Sequence, residues 1–179
     1  RNSAKMKLTS DRLEVEKGDV LDYESVSRAV KGKDAVISAL GHKQWFIPTT
    51  ILSEGTNNII RAMEEHGVRR FVCETSLSVG DSAGRLGLYY TLFVIPVIVF
   101  FYFRDKGRQE RLIRNSKLDW VIVRPGQLTN GKKKGTYRHG EKIGSYISTV
   151  RISRADVADF MLKQLTENDY LRKSPGVSY

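Results

Sequence analysis

Short apolar runs rich in β-branched residues alternate along the chain with longer segments whose apolar positions recur every three or four residues. The first kind reads as buried strand and the second as amphipathic helix. Residues 13–17 (LEVEK) read as a strand closed by Gly18-Asp19. Residues 22–30 read as a helix, with Asp22 as N-cap and Val26 and Val30 four apart. Lys31-Gly32-Lys33 breaks it, and residues 35–40 (AVISAL) form a second strand ended by Gly41. Thr49 or Thr50 opens a long helix through Glu65, carrying Ile51, Leu52, Ile59, Ile60 and Met63 on one face, with His66-Gly67 as its stop. Residues 70–75 are a third strand, 104–115 a charged helix resting on Leu112 and Ile113, and 118–123 a fourth strand ended by Arg124-Pro125-Gly126. Residues 154–165 are a helix with Val157, Phe160, Met161 and Leu165 on one side. This alternation predicts βαβ units, hence an α/β fold whose parallel sheet is covered by helices on both faces. No repeat or low-complexity linker interrupts it.

Residues 88–103 (LYYTLFVIPVIVFFYF) depart from the pattern, with 14 of 16 apolar or aromatic. As a helix the run would reach about 24 Å, short of the roughly 30 Å hydrocarbon core of a bilayer. Pro96 sits in its middle, and Arg104, Lys106 and Arg108 follow. The sheet pattern resumes directly afterwards, which favours a buried lid or an interface segment over a spanning helix. A monotopic membrane anchor, helped by the adjacent basic residues, is a middle option.

Length and composition bound the rest. The 179 residues suit one domain, and 40% hydrophobic with 28% charged residues suits a buried core. A single cysteine, Cys73, excludes an internal disulfide framework and a cysteine-based zinc site, and fits a reducing, cytoplasmic setting. The net charge of +10 is concentrated in residues 104–154, where 14 Lys/Arg face 4 Asp/Glu. Nucleic-acid binding would need aromatic platforms among these cations or a recognisable binding motif. Instead Lys132, Lys133 and Lys134 lie between Gly131 and Gly135, as in an exposed turn. The blander expectation is a solvated basic face or a site for a phosphate-bearing small molecule.

In an open parallel sheet, ligands bind beyond the carboxyl ends of the strands. There the sequence offers Gly18-Asp19-Val20, Ala39-Leu40-Gly41, Thr75-Ser76 and Pro125-Gly126-Gln127. These are small residues, hydroxyls and one carboxylate, with no Ser/His/Asp arrangement and no metal-ligand spacing. His42, His66 and His139 lie far apart and read as surface or capping residues. Such a lining suits a dinucleotide and leaves the chemistry mainly to the cofactor.

The segments GDVLDYESV, GKDAVISALG, PTTILSEGTNNIIRAMEEHGVRRFVCETS, LDWVIVRPGQLTNG and ISRADVADFML together resemble one family. It is the atypical short-chain dehydrogenase/reductases that bind NAD(P)H, nearest the biliverdin reductase B type of flavin reductase and more loosely NmrA-like proteins. The resemblance runs over nearly all of the chain apart from residues 88–103. It implies a Rossmann-like, doubly wound, three-layer αβα domain over residues 1–179. It also implies a front βαβ unit with a G-x-x-G-x-x-G phosphate loop ahead of Arg1, roughly 35 to 40 residues long. Without that unit the sheet would lack its central strand, and these residues alone should not be stable.

By the same resemblance Arg1, supported by Lys5, would accommodate the adenosine 2′-phosphate of NADP(H), with Asn2 and Ser3 in the same cofactor-binding stretch. Asp19 and Val20 would flank the adenine, and Ala39, Leu40 and Gly41 would pass the ribose and pyrophosphate. Thr75 and Ser76 would place a strained hydroxyl near the nicotinamide, Ser76 being the candidate catalytic residue. Pro125, Gln127 and Leu128 would border the nicotinamide. Tyr102 and Lys106 have the Tyr-x-x-x-Lys spacing of typical short-chain dehydrogenases, but a match at one pair of positions is thin support. The implied function is an NADPH-preferring reductase that passes hydride to a small acceptor such as a flavin, quinone or tetrapyrrole. The alternative is a non-catalytic NADP(H)-binding sensor or assembly protein that docks a partner or membrane through residues 88–103.

Overall fold

The computed structural model describes residues 10–179. Its elements run in the order α1 (Tyr23–Val30), β1 (Ala35–Ser38), α2 (Ile51–Glu65), β2 (Arg70–Glu74), a π-helical segment (Tyr90–Ile98), α3 (Phe100–Asn115), β3 (Asp119–Pro125), β4 (Gln127–Thr129), β5 (Arg138–Gly140), β6 (Arg151–Ser153), α4 (Arg154–Lys163) and β7 (Gly176–Ser178), with a short 3-10 turn at Gly80–Ser82. The main sheet has the order β1-β2-β3-β7-β5, parallel except for the antiparallel β5–β7 pair. β4 and β6 pair separately, in parallel. The result is a mixed α/β fold of Rossmann-like type.

Alternation along the strands builds the two layers. Phe71 and Cys73 of β2, with Trp120 and Ile122 of β3, pack against α1, α2 and α3 through Val26, Val30, Ile59, Ile60, Met63 and Ile113. Val72, Val121 and Val123 point the other way, onto Val157, Phe160 and Met161 of α4. The one-residue offset of the side chains thus feeds both faces of one sheet. Helix termini follow sequence cues at two places. Asp22 caps α1 by accepting from Glu24 N–H, and Ser153 caps α4 by accepting from Asp156 N–H.

Three expectations are corrected. Residues 13–17 form no strand. They are held by exposed ion pairs, Glu16 with Arg28 and Glu14 with Lys33, and by a turn hydrogen bond from Leu13 N–H to the Ser10 carbonyl. A strand needs a neighbour for its backbone groups, and β1 pairs with β2 alone among the described residues. Second, α3 begins four residues earlier than the charge pattern implies, and its inward face is polar. Asp105, Lys106, Gln109 and Glu110 are buried with Ile113, whereas Leu112 is only partly covered. Third, none of residues 88–103, expected as a buried lid or an interface segment, is buried, which leaves the interface alternative standing for residues 90–98. They make a π-helical segment with no buried residue, and Pro96 lies inside it, where a missing N–H and the ring disturb the α-helical ladder. No helix of the described residues is long and apolar enough to cross a membrane.

Candidate active site

The carboxyl ends of β1, β2 and β3 open into a cleft of about 830 Å³, closed on its sides by α3, α4 and the π-helical segment. Eight of the expected residues meet there: Ala39, Leu40, Gly41, Thr75, Ser76, Pro125, Gln127 and Leu128. Asp19 and Val20 do not join them and line a separate groove of about 390 Å³ beside β1 and α1. Asp19 is exposed and Oδ1 accepts from Leu21 N–H. Val20 is clamped on α2, where Asn58 donates to its carbonyl and Gly55 leaves room for its methyls; a Cβ at Gly55 would come within 2.7 Å. Arg1, Asn2, Ser3 and Lys5 lie outside the described residues.

The cleft floor is fixed from α3. Thr75 Oγ1 donates to Glu110 Oε1 at 2.7 Å, so this hydroxyl is turned away into the α3 layer. Glu110 is clamped in turn by Arg124 Nε at 3.0 Å and the Arg124 terminal nitrogen at 2.6 Å, and the guanidinium also reaches Asp81. Both Glu110 and Arg124 are buried. Such a pair organises a site more than it stabilises a fold, because desolvation offsets the attraction. Lys106 Nζ donates to the Thr75 carbonyl at 3.0 Å and lies 5.1 Å from the Tyr102 ring centroid. Asp105, the preceding residue, accepts from Leu52 N–H and Ser53 N–H and from the Ser53 hydroxyl. It therefore caps α2 from another helix, since Thr50 supplies no side-chain cap.

Neither Thr75 nor Ser76 carries positive φ; the left-handed hydroxyl residue is Ser78 (φ 68), whose Oγ accepts from Leu86 N–H. Ser76 is half-buried and lines the cleft, and its hydroxyl enters no hydrogen bond among the described residues. Gly126 is required by close approach, since a Cβ there would lie 2.7 Å from the Val150 carbonyl.

Several cleft residues carry charge or a proton. Burial raises the Glu74 carboxyl above its ordinary value, against the pull of Lys106 and Arg154. Burial holds His42 below its ordinary value, with Asp105 opposing and Lys106 assisting. Gln44 N–H donates to His42 Nδ1, which leaves Nε2 as the protonated nitrogen facing Thr49 Oγ1. Burial raises the Tyr90 hydroxyl, opposed by a hydrogen bond with Gln127. Cys73, directly beneath, is pushed up to about 12 by burial and stays a thiol. Among the described residues no group of His, Cys, Asp and Glu could hold a metal ion.

Glu74, Tyr90 and Arg154 were not singled out from sequence, although each lines the cleft. The signal for Glu74 was present: an acid closing an otherwise apolar buried strand. Tyr90 lay hidden in a run read for bulk hydrophobicity, and Arg154 carried no local mark. The lysine turn is partly tied down, with Lys133 paired to Asp159 and the Lys134 ammonium 3.8 Å from the Tyr179 ring centroid.

A family model described as NAD(P)H-binding matches residues 1–168. Among curated proteins, the UPF0659 protein YMR090W of Saccharomyces cerevisiae is 29% identical over 143 residues, covering 78% of this chain and 60% of that protein. A chloroplastic uncharacterized protein of Arabidopsis thaliana, At2g34460, is 30% identical over 133 residues, covering 69% of this chain and 45% of that protein. The chain thus spans 60% or less of these two relatives. Among solved structures, an Escherichia coli protein described as the anaerobilin reductase ChuY superposes with TM-score 0.72 at 24% identity, over 90% of this chain and 72% of that one. A short-chain dehydrogenase/reductase of Veillonella parvula in complex with NADP gives 0.75 at 18% identity, over 95% and 74%. At these identities the structural matches establish the fold alone.

Proposed function

The chain belongs to the NAD(P)H-binding family, and from that premise we propose an NAD(P)H-dependent reductase whose dinucleotide lies across the strand ends in the cleft. The observation that carries this is the convergence of eight strand-end residues with the Lys106 cation in one cavity. Its volume falls within the usual range of about 300–1,000 Å³ for ligand sites. The residues present fit a dinucleotide. Ala39, Gly41, Ser76 and Gly126 are small enough for close approach to the backbone, and Lys106 supplies a cation. The reduced nicotinamide supplies a hydride when bound.

The chain's own residues bind and orient. Lys106, held by the Thr75 carbonyl, attracts ribose hydroxyls and phosphate. Ala39, Leu40 and Gly41 border the ribose and pyrophosphate. The free Ser76 hydroxyl is offered to the nicotinamide carboxamide or the acceptor, and Pro125, Gln127 and Leu128 form the nicotinamide wall. Asp19 and Val20 serve the adenine end, from the neighbouring groove. Arg1 and Lys5, with Asn2 and Ser3, serve the 2′-phosphate and favour NADPH over NADH. The acceptor is a small planar molecule of the flavin, quinone or tetrapyrrole kind. It is held against Tyr90, Val94 and Ile98, which exclude water from one side. The family membership, the NADP-bound neighbour and the reductase description of the E. coli neighbour support this reading. Residues 1–179 act in it as one dinucleotide-binding unit, and a cytoplasmic or comparable reducing compartment suits it.

The test is NADPH oxidation with FMN, menadione or biliverdin as acceptor. Turnover is expected with at least one, and Lys106→Ala should raise the KM for NADPH about tenfold, as for the loss of one charged contact. Tight NADPH binding without turnover on any acceptor would overturn the reductase reading. One observation favours the non-catalytic alternative in that case: Leu92, Phe93 and Val97 of the π-helical segment are each at least 60% exposed. Such a binder would dock a membrane or protein through residues 88–103 and would lose that association when they are deleted.

A further inference from the structure

Reduction of a carbonyl or conjugated double bond needs a proton as well as a hydride, and few carboxyl, imidazole or ammonium groups lie in the cleft or in the α3 layer beneath it. Asp105 is committed to the start of α2, and Glu110 to Thr75 and Arg124. His42 has both ring nitrogens occupied by Gln44 and Thr49. The Lys106 ammonium donates to the Thr75 carbonyl, lies over the Tyr102 ring and is assigned above to the dinucleotide. Glu74 differs from all of these. It closes β2 on the face opposite Thr75, it is the one carboxyl lining the cleft among the described residues, and its carboxylate oxygens accept no hydrogen bond from any of them. Nor does it form an ion pair among the described residues, the nearest charges being Lys106 of α3 and Arg154 of α4.

We propose that Glu74 is the proton donor to the acceptor. This deepens the reductase reading and rests on it. The step balances as follows. Hydride leaves the dihydronicotinamide for one atom of the acceptor double bond, and the electron pair of that bond moves to the second atom. That atom takes the proton from the Glu74 carboxyl, leaving NADP⁺, reduced acceptor and a carboxylate. Solvent at the open cleft reprotonates the carboxylate. Burial supplies the needed acid, because it keeps the proton on Glu74 further toward neutrality than on an ordinary glutamate. The facing charges Lys106 and Arg154, and the neutral His42 ring beyond β1, set how far. The sign is fixed: the protonated form is the active one, so the rate should fall as pH rises through the raised value.

The test uses Glu74→Gln in the full chain, with two readouts. Infrared difference spectra of wild type minus variant, taken through a pH titration without cofactor, should show a protonated carboxyl that disappears in the variant and titrates above the ordinary glutamate value. NADPH turnover with menadione or biliverdin should drop by about 10²- to 10⁴-fold, the usual weight of a positioned acid. NADPH binding followed by fluorescence should be unchanged, and the high-pH fall in rate should vanish. Three results would overturn the proposal: a Glu74 that titrates at or below the ordinary value, a variant that retains rate and pH profile, or loss confined to Tyr102→Phe. Wild type that binds NADPH but turns over no acceptor would sink the reductase reading with it, and the infrared titration still reports on Glu74 itself.

Discussion

One carboxylate, Asp156, gathers four donors: the hydroxyls of Tyr179 and Ser153 and the N–H groups of Gly135 and Lys134. Burial pushes its carboxyl up, but the donors outweigh it and hold it well below the ordinary value. Lys133, Tyr137 and Lys163 do the same for Asp159, and Arg124 for Asp81. A carboxyl with a depressed folded-state pKa stabilises the protein above its unfolded value, and that stability is lost as pH falls through the folded value. Glu74 has the opposite sign, since its raised value makes the folded state easier to hold as pH drops. Three depressed groups against one raised predict a net loss of stability in acid. Thermal melts from about pH 7 to about pH 3 should show Tm falling below about pH 4, with a shallower fall in Asp156→Asn. A Tm flat over that range would contradict the assignment. Only the Ser153 contact is local, three residues away at the start of α4; the donors at residues 134–135 and 179 meet Asp156 only in the fold and were not legible in sequence.

Elements were legible where their pattern was local. The 3.6-residue spacing of α1 and α2, the cap at Asp22 and the apolar cores of β1, β2 and β3 all follow from neighbouring residues. The three-residue strands β4 to β7 are too short to carry a period. α3 was misread for a physical reason: charged and amide side chains on a helix ordinarily face water, yet here Asp105 and Glu110 pair with Ser53, Thr75 and Arg124 inside, and Gln109 donates to Thr56. The same helix supplies the cap that α2 lacks. Asp105→Ala removes the acceptor for two N–H groups and one hydroxyl in a buried place, and should cost about 2–4 kcal/mol. Denaturant melts would register this as a lower midpoint with an unchanged slope. A loss under about 0.5 kcal/mol, within the range of ordinary surface substitutions, would show that water or Thr50 replaces the cap.

For the whole molecule, the strand-end cleft is where family membership, topology and charge coincide. Eight expected residues meet there, while Asp19 and Val20 face a second groove, so a dinucleotide that used both, as proposed, would have to reach from one to the other past β1. The +10 charge has a mixed meaning in the fold: Lys106 and Arg124 are buried at or under the cleft, Lys133 and Lys134 are tied to α4 and Tyr179, and other cations remain exposed. The central claim is that NADPH occupies this cleft. Amide hydrogen exchange of the protein with and without NADPH tests it most directly. Slowed exchange is predicted at residues 39–42, 74–76 and 125–128, together with the 18–20 segment. Protection confined to the lysine turn at 131–135, or none in the cleft under saturating NADPH, would contradict it.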